Sequence, residues 1–303
     1  AIAESVAMLY TQGVEIAWPN VHSAPPNVRP KLPAYPFEHG HYWFDAIDTD
    51  PTVARNRPHP LRGERVVTAE LDTTVVSSVF SPVACPLLRA HRVFGVLCAS
   101  GVLQLALVRA AAADAFTDDA VTEFDSIEFE RPLVLSEHGS RRVRATVRRT
   151  SERSAEFEFE SAELSRDTWI VHSSGTFRRR GAVDGLGDVV DLGTIRTRLD
   201  HESSGAAFYD ELWKEGAHQL GEDFRLIEQI WYRSGEALAL LSSLPAAHDD
   251  LERRIVEARV GEACGQILKV TLAAQPSFDP GEYVFIGQRI ERSYSLADPA
   301  AGK

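Results

Sequence analysis

Between Arg141 and Ala162 apolar and charged residues alternate with a period of two. In RRVRATVRRT, Val143, Ala145 and Val147 alternate with Arg142, Arg144 and Arg148. In SAEFEFESA, Ala155, Phe157 and Phe159 alternate with Glu156, Glu158 and Glu160. Successive side chains of a strand point to opposite faces, so each stretch predicts an antiparallel strand with one buried and one solvated face. Paired as a hairpin through TSER, they set an arginine row against a glutamate row, each pair adding about 0.2–1 kcal/mol and fixing the register. Their apolar faces must then cover something. The candidate is SGVLQLALVRAAAADAF, residues 100–116, where only Gln104 is polar from Gly101 to Val108. A helix apolar on nearly every side is buried on nearly every side.

One central helix wrapped by a curled antiparallel sheet is the hot-dog arrangement; a core helix of some other α+β fold is the competing reading. The second half repeats the pattern. RLIEQIWYR and EALALLSSL flank SG as a further hairpin, and RVGEACGQILKVTLAA carries Val260, Cys264, Ile267, Leu268 and Thr271 at helical spacing. Glycine-rich, acidic RRRGAVDGLGDVVDLG between the halves reads as a linker. The expected architecture is therefore α+β, a double hot-dog of residues 59–180 and 200–303, with 181–199 between them and a linker segment, 1–58, in front. In that segment AIAESVAMLYTQGVEIAW predicts a short amphipathic helix ending at Gly13, then an extended stretch into Trp18. The prolines of PNVHSAPPNVRPKLPAYPF forbid helix. A second proline-rich joint, DPTVARNRPHPLRG, precedes the strand-like RVVTAELDT.

Composition narrows the chemistry. Hydrophobic residues make up 44% of the 303, enough for real cores. The net charge of −12 argues against a nucleic-acid or anionic-membrane surface, which needs a concentrated basic face. Three cysteines, Cys85, Cys98 and Cys264, form no C-x-x-C pair, so neither a disulfide framework nor a zinc knuckle is suggested, and a reducing cytoplasm fits best. Cys98 and Cys264 read as small buried apolar residues. His39 and His41 lack accompanying carboxylates or cysteines and read as packing residues of the linker. GLG at 185–187 lacks the third glycine of a dinucleotide site. His172 and Trp169 read as filling the first core or its edge.

Several stretches together resemble the dehydratase domain of a type I polyketide synthase, preceded by the end of the linker that follows an acyltransferase. LPAYPFEHGHYWFD, 32–45, is similar to that linker's signature, and HPLRG, 59–63, to the start of the dehydratase. RAHRVFGVLCASGV, 89–102, matches the family's HxxxGxxxxP through His91 and Gly95, with Ser100 where proline is usual. WIVHSSGTF, 169–177, is similar to the closing strand of the first hot dog. LGEDF, 220–224, falls where YGPxF is usual, and EACGQ, 262–266, on the DxxxQ motif with Glu262 in the aspartate position. The resemblance also implies further strands after YVFIGQRIERSYSL, so the chain is expected either to have a shortened second sheet or to be a slice of a longer polypeptide.

What the resemblance implies is elimination of water from a 3-hydroxyacyl thioester carried on the phosphopantetheine of an acyl carrier protein, with no metal or other cofactor bound by the domain. His91 is then the base and Glu262 the acid that protonates the departing hydroxyl. Imidazole has an ordinary pKa of about 6.5 and is abundant as the free base at neutral pH, whereas a carboxylic acid donates only when protonated, a form apolar surroundings favour. Glutamate for aspartate moves the carboxyl by about 1.5 Å, and errors of that order cost about 100-fold when uncompensated. Gln266, one helical turn on, is implied to hold that carboxyl or the substrate hydroxyl. Gly95 is implied to bring its N–H to the thioester carbonyl, and Ser100 to cap helix 100–116 with its hydroxyl. Phe94, Leu220 and Phe224 complete the implied substrate-binding set. The implied partners are the carrier protein, other synthase domains and a second copy in a homodimer. The same base and acid could instead move a double bond, serve elimination during aromatic ring formation or hydrolyse a thioester. A reading from another class is a spacer that holds the dimer without turnover.

Overall fold

The computed structural model describes residues 2–21, 59–116, 122–179, 191–214, 218–273 and 287–293. It divides into two compact units, residues 1–45 and 46–303. In the first, helix α1 (Ile2–Thr11) ends as expected at Gly13, whose φ of +82° only glycine adopts freely. Gly13 N–H donates to the Tyr10 carbonyl and Val14 N–H to that of Leu9, the paired bonds of a Schellman stop. The prolines from Pro19 onward were expected to forbid helix, but Trp18–Val21 forms a single helical turn, α2, in whose first turn Pro19 needs no N–H partner, with the Tyr10 and Trp18 rings edge to face at 5.3 Å. LPAYPFEHGHYWFD with His39 and His41, and GLG at 185–187, lie outside the described residues.

The second unit begins with β1 (Glu64–Val66), β2 (Thr73–Phe80), β3 (His91–Val93), β4 (Val96–Ala99) and helix α3 (Gly101–Phe116). There follow β5 (Thr122–Phe129), β6 (Leu133–Val134), β7 (Arg141–Arg149), β8 (Ser154–Ala162), β9 (Ile170–Arg179) and α4 (Leu192–Thr197). Then come β10 (His201–Ser204), α5 (Gly205–Lys214), β11 (His218–Leu220), β12 (Ile227–Arg233), β13 (Glu236–Leu241), α6 (Asp250–Ala273) and β14 (Arg289–Ser293). The strand expected over 65–73 is interrupted: Val67 and Leu71 are almost fully exposed, and the half-buried alternation lies one stretch later, in TTVVSSVF. The joint before it is fixed by Leu61, wholly buried, and by Gly63, whose φ of +64° and 2.3 Å from a notional Cβ to Val76 admit no side chain.

A seven-stranded antiparallel sheet, ordered β1-β2-β7-β8-β9-β5-β14, wraps α3. The β7–β8 hairpin sets Arg144 opposite Glu160 and Arg148 opposite Glu156. Arg144 grips Glu160 with two bonds, 2.6 and 3.2 Å, while Arg148 crosses to the diagonal neighbour Glu158 at 3.2 Å. On the other face Val143, Ala145, Val147, Phe157 and Phe159 are buried against α3. Gln104, the polar exception in that helix, is buried too, and its amide oxygen accepts from the Ser173 hydroxyl at 2.9 Å, which removes the cost of an unpaired interior amide. Trp169 lies at the edge beneath the Arg142 and Arg144 guanidinium groups.

The second half builds its own small sheet, β10-β12-β13, whose β12–β13 hairpin turns at Gly235 (φ +77°), and lays α6 against it. Of the stripe expected on α6, Val260 and Ile267 pack against the core and Thr271 is buried, but the buried face is shifted at two positions. Ala263 is wholly buried and Gln266 nearly so, whereas Cys264 is exposed and Leu268 60% exposed. The shift is set where α6 meets α3: a Cβ on Gly261 would sit 3.1 Å from Val102, so the helices touch at a residue without a side chain. Two strand pairings stitch the halves together, β14 on β5 and β11 on β3, the latter placing Leu220 opposite His91. Among the described residues no helix is long and apolar enough to cross a membrane.

His172, buried on β9, bonds through Nε2 to the Ser161 hydroxyl at 2.7 Å and through Nδ1 to the Arg131 carbonyl at 3.0 Å. Burial, the largest influence, pushes its pKa below the ordinary histidine value. Below pH about 6.5 the unfolded chain therefore takes up a proton that the folded one refuses, and stability falls with pH from there toward the lower folded-state value. Urea midpoints measured across that range are expected to fall more steeply for the wild type than for His172→Asn. Parallel slopes would refute this account.

Candidate active site

Hairpin β3–β4 carries His91, and its two loop residues, Phe94 and Gly95, both have positive φ, +51° and +76°, the requirement of a tight primed turn. Gly95 is exposed and a Cβ there would touch nothing within 4 Å. Its glycine character thus answers to the turn; the close approach implied for a thioester has no counterpart in its packing. Phe94, 65% exposed at the same tip, is not buried against any wall.

The turn folds β4 back so that the Cys98 carbonyl lies 3.1 Å from His91 Nδ1. A carbonyl only accepts, so Nδ1 carries the hydrogen and Nε2 of the neutral ring keeps its lone pair. Nε2 lies 4.0 Å from Glu262 Oε1 across the junction of the halves, with the two side chains only 14% and 13% exposed. Glu262 is brought there by the contact of α6 with α3 at the preceding residue, Gly261. One histidine with a defined tautomer thus faces one carboxyl group where both are largely shielded from solvent, an arrangement suited to removing a proton at one atom and delivering one at its neighbour.

The other expected residues take up distinct places. Leu220 is buried on β11 as His91's strand partner, and the next residue's N–H, from Gly221, donates to the Ala90 carbonyl at 2.8 Å. Phe224 is wholly buried in the short helical turn 222–224. Gln266 was expected to hold the carboxyl or the substrate, but the fold uses both ends of its amide. Its Oε1 accepts from the Tyr209 hydroxyl and its Nε2 donates to the Phe224 carbonyl, both at 3.0 Å. Tyr209 in turn accepts from Ile227 N–H at 3.1 Å, and burial above all holds its phenol protonated by raising its pKa. Gln266→Leu is accordingly expected to lower stability by about 1–3 kcal/mol, read from urea unfolding, because it leaves the buried Tyr209 hydroxyl and Phe224 carbonyl only their long 3.5 Å contact with each other. An unchanged midpoint would count against this bracing role.

Sequence reasoning missed Tyr209, an aromatic on α5 with no motif to mark it. It also missed His218, whose ring stands edge to face with His91 at 6.4 Å, because pairing of β11 with β3 joins residues far apart in the chain. Ser100 differs from expectation as well. Its backbone carbonyl accepts from Leu103 and Gln104 N–H and so starts α3, but its hydroxyl, expected to cap that helix, has no hydrogen-bond partner among the described residues.

Two family models match the chain: one described as polyketide synthase dehydratase domain over residues 59–162, the other as polyketide synthase dehydratase N-terminal domain over residues 187–294. Among named relatives, polyketide synthase GfsB of Streptomyces halstedii is 28% identical over 79% of the chain. The spectinabilin polyketide synthase system protein NorA' of Streptomyces orinoci is 24% identical over 81%. The chain spans only 4% and 7% of the length of those two proteins. Among solved structures, the dehydratase domain of the CurF module of curacin polyketide synthase superposes with a TM-score of 0.66 at 19% identity, covering 80% of this chain and 85% of that one. Two inactive mutants of the CurK dehydratase, one with a histidine replaced by phenylalanine and one with an aspartate replaced by asparagine, each give a TM-score of 0.64 at 17% and 19% identity. They cover 80% and 78% of this chain and 83% and 82% of their own.

Proposed function

The chain belongs to the polyketide synthase dehydratase family and has its double hot-dog fold, and from that premise we propose that it eliminates water from a 3-hydroxyacyl thioester to give the enoyl thioester. The observation that carries this reading is the facing pair, His91 Nε2 and Glu262 Oε1, 4.0 Å apart and largely shielded from water. Two CurK dehydratase structures are described as inactive mutants, one with a histidine and one with an aspartate replaced, and His91 with Glu262 likewise sets an imidazole beside a carboxyl group here.

His91 Nε2 removes the α-proton, whose bonding electrons move into the α-carbon to carbonyl-carbon linkage and put negative charge on the thioester oxygen. Those electrons return to form the α,β double bond as the β-hydroxyl departs, and the protonated Glu262 carboxyl supplies the proton that makes it water. His91 ends protonated and Glu262 ionised; a proton passed between them restores both. The Cys98 carbonyl keeps the imidazole in the required tautomer throughout. No metal or other cofactor enters these steps. The acyl group arrives on the phosphopantetheine of an acyl carrier protein, the catalytic unit is residues 59–303 with halves 59–180 and 200–303, and it works as a homodimer beside other synthase domains in the cytoplasm.

The test is mass spectrometry of carrier-bound 3-hydroxyacyl chains of both configurations and several lengths after incubation with this chain. Loss of one water is expected from at least one of them. No loss from any would overturn the proposal and point to a spacer.

A further inference from the structure

We infer that Tyr209 is a positioning residue for the reaction: acting through Gln266, its hydroxyl fixes how far α6 is turned about its axis, and so the reach of the Glu262 carboxyl toward His91. The inference rests on the dehydratase reading above. Glu262 projects from a helix of 24 residues, Asp250–Ala273. At the preceding residue, Gly261, that helix touches Val102 of α3. Apolar contact of this kind is non-directional, whereas a hydrogen bond is satisfied only over a narrow range of angles. The directional contact comes one turn later, on nearly the same face, at Gln266. Gln266 is 8% exposed; its Oε1 accepts from the Tyr209 hydroxyl and its Nε2 donates to the Phe224 carbonyl, both at 3.0 Å.

Tyr209, 6% exposed on α5, is itself held from two further sides. Its oxygen accepts from Ile227 N–H of β12 at 3.1 Å. Over its ring, 5.7 Å from the centroid, lies the Arg225 guanidinium, whose Nε donates at 3.2 Å to the carbonyl of Leu220, the strand partner of His91. One side chain therefore meets both the residue one turn from the acid and the arginine that holds the strand beside the base. After burial, the charge of Glu262 is among the influences that raise the phenol's pKa, which puts the carboxyl within electrostatic range of Tyr209. With its side chains a helix has a radius of about 5–6 Å, so a turn of about 10° carries a side-chain tip about 1 Å. Misplacement of that size costs about 100-fold in rate.

Tyr209→Phe keeps the ring and removes the hydroxyl, leaving Gln266 its bond to Phe224 alone. Water loss is expected to slow by about 10- to 100-fold in kcat, with KM within about twofold of wild type, because no binding contact to the acyl chain is removed. Stability is expected to fall too, since the Ile227 N–H loses its acceptor, so the discriminating measurement is made in a second background. Added to Glu262→Gln, the same change is expected to slow the residual reaction less than about twofold, there being no acid left to aim. Equal losses in the two backgrounds, or an unchanged kcat in folded Tyr209→Phe, would overturn the positioning role. Should that variant fail to fold, Gln266→Leu severs the same link and is read in the same way. Crystal structures give a readout that needs no turnover: the separation of His91 Nε2 from Glu262 Oε1 is expected to widen by about 1 Å in the variant. A wild type that loses no water, but whose separation widens when the hydroxyl is removed, would keep the positioning role and sink the dehydratase reading. Water loss by the wild type with the separation unchanged in the variant would sink the positioning role alone.

Discussion

Replacing His91 with phenylalanine is expected to reduce water loss from a carrier-bound 3-hydroxyacyl thioester by about 10²- to 10⁴-fold, the range that positioned acid–base groups contribute. The ring volume is kept, so the β3–β4 hairpin and its pairing with β11 should survive, and circular dichroism and urea midpoints close to wild type would show that they do. What is lost is the lone pair on Nε2, which the Cys98 carbonyl exposes by claiming the hydrogen of Nδ1. A folded variant that dehydrates at the wild-type rate would remove His91 from the mechanism.

Glu262→Gln is expected to have an effect of similar size for a different reason: the amide occupies the same place but cannot serve as the acid. Glu262→Asp is the more discriminating change. It keeps the acid and withdraws it by about 1.5 Å from a partner that already stands 4.0 Å away, with a loss of about 100-fold if nothing compensates. The order wild type, then aspartate, then glutamine would support a reach tuned to glutamate in this chain. Aspartate equal to glutamine would make the reach of the carboxyl as necessary as its acidity, and glutamine equal to wild type would exclude the carboxyl as the acid. The double variant His91→Phe with Glu262→Gln should be little worse than either single one, because residues acting as one unit are strongly non-additive. Carrier-bound products resolved by mass spectrometry give all of these rates.

Much of this fold was legible before any coordinates. The period-two runs at 141–149 and 154–162 made the hairpin, its register and its ion pairs readable, because alternation and charge complementarity are local properties. The apolar run of α3 announced a buried helix in the same way. The buried side of α6 was legible only in part: Val260, Ile267 and Thr271 face the core as expected, whereas Cys264 and Leu268 are exposed and Ala263 is buried, where the helix meets α3 through Gly261 and Val102.

For the site the division runs along the same line. His91 and Glu262 were marked by motif spacing, and so was the turn at Gly95, although its positive φ rather than nearness to a ligand accounts for the glycine. The sequence by itself supplied an imidazole and a carboxyl group at the positions where the family resemblance implies a base and an acid, since chemical type and near-neighbour spacing are written in the chain. Only the tertiary structure decided that the two face each other, that Gln266 bonds to Tyr209 and the Phe224 carbonyl, and that the Ser100 hydroxyl has no hydrogen-bond partner among the described residues. Each of these depends on residues far apart in the chain meeting across packed elements, and the free energy of such contacts is set by burial and geometry that no local pattern encodes.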